Sequence, residues 1–198
     1  MNKFIFSFTC LFLLVLPTLQ FNFFAKDEPL DPIPELDLSR YQGKWYEIAR
    51  FSMIFEAFCY CATAEYGLKS DGTVSVVNTC NWGGPTKKLV SATGTAYPQD
   101  PVHGTITTGR LGVAFFTKTQ APYYVIELGE NYDYALVGEP SRKYLWILSR
   151  TPTIDDSLYN RLVEKAKSLN FDVKKLEKQY QGNDCARKEA GTGYYLNW

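Results

Sequence analysis

Tyr144-Leu145-Trp146-Ile147-Leu148-Ser149-Arg150-Thr151-Pro152 is written as a β-strand with a stop after it. Aromatic and branched residues fill the run, and Pro152 cannot donate to a sheet ladder, so the strand ends before it. Side chains alternate across a strand, which puts Tyr144, Trp146, Leu148 and Arg150 on one face. Similar short runs recur upstream between turn signals, near 43–52, 60–69, 73–80, 88–97, 110–117, 123–129 and 132–138. With 144–150 they make eight. Ser70-Asp71-Gly72 closes one tight hairpin and Gly129-Glu130-Asn131 another. Eight strands joined by short loops, with no helix between them, remove their edges by closing into an up-and-down antiparallel β-barrel, and a barrel of that size holds one small ligand.

One helix follows the strands. Thr153 is the expected cap with Asp156 as the acidic partner of a capping box, and Ile154, Leu158, Leu162, Ala166 and Leu169 repeat at helical spacing. This apolar stripe is expected on the outside of the barrel. The 198 residues carry 21 basic and 21 acidic side chains, so no summed field would hold the chain on nucleic acid. Aromatic residues make up 16% of the chain, which suits a cavity lined with rings.

Lys3 and the apolar stretch Phe4–Leu16 read as a secretory signal over residues 1–20, its end lying between 20 and 25. The stretch is broken by Pro17 and Gln20 and is shorter than the roughly 20 apolar residues that a spanning helix needs. The barrel domain is then expected over 35–187, with 188–198 as a tail carrying Tyr194, Tyr195 and Trp198. Cys10 falls in the signal. Cys59, Cys61, Cys80 and Cys185 remain, an even number that in an exported chain reads as two disulfides with three possible connectivities. Zinc is disfavoured, because Cys59-x-Cys61 is not a usual ligand spacing and His103 is the single histidine. No cofactor is expected.

Three separated segments resemble the lipocalin family. Tyr41-Gln42-Gly43-Lys44-Trp45-Tyr46-Glu47-Ile48-Ala49-Arg50-Phe51 is similar to its first motif, Gly-x-Trp at the start of the first strand. Asn131-Tyr132-Asp133-Tyr134-Ala135-Leu136-Val137 resembles a variant of the second, and 144–152 resembles the third. The likeness covers about residues 35 to 187 and is strongest to the branch that holds apolipoprotein D and the bacterial lipocalins. In a barrel closed at one end, Trp45 and Arg150 can form the plug by stacking guanidinium on indole, with Gly43 allowing the tight backbone beside them. These three are expected to be structural.

The same resemblance implies that Tyr66, Asn78 and Trp146 line the pocket, with Phe115 and Tyr124 as further candidates and Phe116 beside them. It also implies Cys61–Cys185 and, for the remaining pair, Cys59–Cys80. Strand parity leaves this open: Tyr66 inward places Cys59 outward, whereas Asn78 inward places Cys80 inward, unless a bulge intervenes. Cys61–Cys80 with Cys59–Cys185 is the alternative. The expected function is binding and transport of a small hydrophobic ligand such as a fatty acid, lysophospholipid, sterol, retinoid or pigment, outside the cytoplasm and without catalysis. A lipocalin-type enzyme would need Cys59 or Cys80 as a free thiol. A surface-interaction protein would use the rim, where Met53, Ile54, Phe55, Phe58 and Tyr60 form a candidate contact for membranes or for a second subunit in a homodimer.

Overall fold

The computed structural model describes residues 29–52 and 57–185. The expected signal, Cys10, Met53, Ile54, Phe55 and the aromatic tail lie outside them. Eight strands follow one another in an antiparallel meander: β1 Gly43–Phe51, β2 Cys59–Leu68, β3 Val74–Trp82, β4 Lys88–Pro98, β5 Arg110–Ala114, β6 Ala121–Leu128, β7 Tyr134–Gly138 and β8 Leu145–Ser149. Each pairs with the next, and β8 pairs with β1, from Trp146 opposite Arg50 to Ser149 opposite Tyr46. The sheet is therefore a closed barrel. The expected boundaries hold to within a few residues, with β5 ending earlier than expected.

Both expected turns form. Lys69 and Thr73 bracket the first, where Gly72 takes φ +81° and the Asp71 carboxylate accepts from the Thr73 N–H. The second is closed by a bond from Gly129 N to Tyr134 O. Elements that the sequence pattern did not announce sit at the margins. A four-residue helix, α1 (Leu38–Tyr41), precedes β1 and is capped by Asp37, whose side chain accepts from Ser39 N. Leu36–Asp37, Pro101–His103 and Ile106–Thr107 form a small separate sheet. A ninth strand, β9 (Leu176–Lys178), lies along β1.

The long helix α2 spans Asp156–Ser168 and starts from Asp155, without a side-chain cap bond. The Thr153 cap is thus a correction: its backbone oxygen is occupied by the Thr151 hydroxyl, and the chain enters the helix two residues later. The stripe itself is as expected. Leu162 and Ala166 are fully buried, and Ile154, Leu158 and Leu169 pack with them on the barrel's outer face against Ile48, Leu136 and Ile147. A second apolar cluster fills the lower interior with Trp45, Tyr66, Val76, Val113, Val125, Val137 and Leu148. Alternation along each strand separates the two: Val125 points in and Ile126 out, Val137 in and Leu136 out.

Candidate functional site

The barrel is closed at the end where the chain enters β1 and leaves β8. Trp45 is completely buried and its indole N–H donates to Tyr41 O at 2.8 Å. The Arg150 guanidinium lies 3.9 Å from the centre of its ring and donates to the carbonyls of Arg40, Tyr41, Lys44 and Tyr132. Gly43 has φ +90°, a backbone conformation that favours glycine, and lies beside the Arg150 guanidinium. Leu38 and Tyr41 of α1 join the same interior cluster and complete the floor.

Above that floor are two adjoining compartments of about 330 and 540 Å³. They share Glu47, Ala64, Asn78, Phe115 and Leu148. The smaller runs from Tyr66 and Tyr123 to Glu139, Tyr144 and Trp146. The larger opens between Cys59, Trp82 and Phe116. Four of the five expected pocket residues, Tyr66, Asn78, Trp146 and Phe115, therefore lie on one cavity wall. Tyr124 does not. It packs in the outer cluster, with Arg110 5.9 Å from its ring, while its neighbour Tyr123 takes the inner position. Alternation cannot choose between Tyr123-Val125 and Tyr124-Ile126, because both faces are equally apolar.

Polar groups are few and placed. The Tyr123 hydroxyl bridges those of Tyr41 and Tyr66 at 2.8 Å each. Burial pushes the Tyr66 hydroxyl up to about 12 and raises Tyr41 and Tyr123 well above the ordinary phenol value, so the chain of hydroxyls is neutral. Glu47 is paired with Arg50, itself buried. Burial raises the Glu47 carboxyl, with the Arg50 charge acting against it. Sequence reasoning missed Glu47, although alternation from Trp45 alone puts it on the inner face. Glu139 was missed because it sits at the strand's end, where facing is not periodic.

The disulfides are Cys59–Cys80 and Cys61–Cys185. A bulge between Tyr60 and Thr63, with Cys61 at φ +56°, reverses the parity of β2 and brings Cys59 to the side of Cys80. Both cysteines of that pair line the larger compartment. The other bridge pins the segment after β9, which is also held by Tyr180 O on Cys61 N and by the Gln181 amide on Glu47 O and Ala62 O. Among the described residues no group of His, Cys, Asp and Glu could hold a metal ion.

Residues 36–181 match the lipocalin-like domain family. The chain is a lipocalin. It is similar to the outer membrane lipoprotein Blc of Vibrio cholerae, at 37% identity over 84% of this chain and 95% of that one. It is 32% identical to apolipoprotein D of Cavia porcellus over 78% of this lipocalin and 82% of the relative. Insecticyanin from the tobacco hornworm Manduca sexta shares its fold, with a TM-score of 0.66, 20% identity, and coverage of 85% and 92% of the two chains. Lipocalins bind small hydrophobic ligands, and the cavity described above is where this fold would hold one.

Proposed function

We propose that this lipocalin binds and carries a single hydrophobic molecule in its cavity, outside the cytoplasm. The observation that carries the reading is the mostly apolar lumen, floored by Trp45 and the tyrosine hydroxyls and open at the other end, with Asn78 and Trp146 on its wall. Burial contributes roughly 0.8 kcal/mol per methylene, so a tail of about ten could sustain micromolar affinity after the costs of association. The two disulfides favour an oxidising compartment, which the signal-like residues 1–20 would reach. They also weigh against a thiol enzyme, since the cavity cysteines Cys59 and Cys80 are bonded to each other.

The ligand would come from a lipid surface through the open rim. Phe58 and Phe116 are 59% and 69% exposed there, and Trp82 lies in ring contact with Phe58. Exposed Lys87 and Lys88 at the start of β4 and Lys118 after β5 add positive charge, which suits anionic lipid better than a second copy of the same cationic rim. Native mass spectrometry and organic extraction of the exported protein test the carrier reading. A stoichiometric hydrophobic molecule, lost in Trp146→Arg, is the expected result. An empty protein whose tryptophan fluorescence is not quenched by fatty acids, lysolipids, sterols or retinoids would overturn it.

A further inference from the structure

One acidic side chain of the cavity lining stands apart from the rest. Glu139 is only 8% exposed and is one of the residues that line the smaller compartment. It accepts from the Ser141 hydroxyl and N–H and from the N–H groups of Lys143 and Tyr144. Burial raises its pKa, but these donors outweigh burial and hold the carboxyl below its ordinary value, so it is an anion at neutral pH. They satisfy its oxygens with dipoles and bring no charge. Among the described residues no lysine or arginine pairs with it. Arg142, three residues on, directs its guanidinium to the carbonyls of Pro140 and Leu169. The other acid on the wall, Glu47, already has Arg50. Among the described residues, Glu139 is thus a cavity-lining acid without a counter-ion, and buried charges are normally paired.

The same stretch of wall carries two rings. Tyr144 and Trp146 stack with centroids 6.0 Å apart and planes 13° apart. Aromatic faces attract cations, most strongly where water is excluded. Resting on the carrier reading above, we propose that Glu139, Tyr144 and Trp146 receive the ammonium group of a positively charged single-chain amphiphile, and that this wall turns away free carboxylates. The head then sits near the mouth while the tail fills the space beside Asn78 and Phe115.

The test compares dodecyltrimethylammonium, dodecanol and dodecanoate, each below its micelle concentration, by quenching of tryptophan fluorescence. The native protein should take the ammonium compound about tenfold more tightly than the alcohol, with the carboxylate weakest. In Glu139→Gln the ratio of ammonium to alcohol affinity should fall severalfold, and in Tyr144→Leu it should fall by a smaller factor. Near-ultraviolet circular dichroism checks that each variant is folded, and the ranking in the native protein stands independently of both. Equal binding of the three, a preference for the carboxylate, or an ammonium preference undiminished in Glu139→Gln would overturn the head-group assignment alone. Failure of all three to bind would overturn the carrier reading with it.

Discussion

Replacing Arg150 by alanine should destabilise the barrel by removing its floor clamp. The guanidinium makes one cation–π contact at 3.9 Å, worth about 1 kcal/mol at a half-buried site. It also donates to four carbonyls, from Arg40, Tyr41, Lys44 and Tyr132, which water partly re-satisfies in the variant, so each bond contributes about 0.5 kcal/mol net. The expected loss is about 3 kcal/mol, a large part of the stability of a domain of this size. Urea unfolding followed by tryptophan fluorescence, with both disulfides intact, should show a midpoint lower by about 1.5 M at unchanged slope. Arg150→Lys should recover less than half of this, because an ammonium cannot reproduce the planar fork that reaches all four carbonyls. A loss below about 1 kcal/mol in Arg150→Ala, or a lysine variant as stable as the native protein, would refute the idea that this side chain ties the floor together.

Leu162→Ala, at the fully buried centre of the α2 stripe, should cost about 2–4 kcal/mol in the same assay while leaving cavity affinity unchanged, because the helix packs outside the barrel. Stability should also fall in acid. Asp37, held low chiefly by the Ser39 hydroxyl, and Glu139 both titrate lower in the folded chain than in the unfolded one. Their contribution is complete above the ordinary carboxylate range near about 4 and is lost as pH drops through the folded values. A paired Asp37→Asn, Glu139→Gln variant should therefore show a flatter dependence of the urea midpoint on pH below about 4 than the native protein.

The strands were legible because most are bounded by turn residues and carry a periodic or β-branched pattern, and α2 because its stripe is one face of a helix. Trp45 and Arg150 were legible as partners because their segments resemble the lipocalin motifs, and the structure places one ring under one guanidinium. What escaped depends on tertiary context. α1, with four residues, is too short to show a period and exists because Asp37 caps it and the interior buries Leu38 and Tyr41. Strand β9 forms only against an edge of β1 that is distant in sequence. Tyr124 and Tyr123 could not be told apart by hydrophobicity, and the side of β2 on which Cys59 emerges turns on a single bulged residue that the pattern does not mark.

The two disulfides have different places in the history of the molecule. Cys59 and Cys80 are 21 residues apart on neighbouring strands, so their bridge can close as soon as one hairpin exists. Cys61 and Cys185 are separated by 124 residues, and six barrel strands must be made and docked between them. That bond is consequently a certificate of completion. A chain that is truncated, or whose barrel has not closed, leaves Cys61 as a free thiol whose thiolate can attack other disulfides.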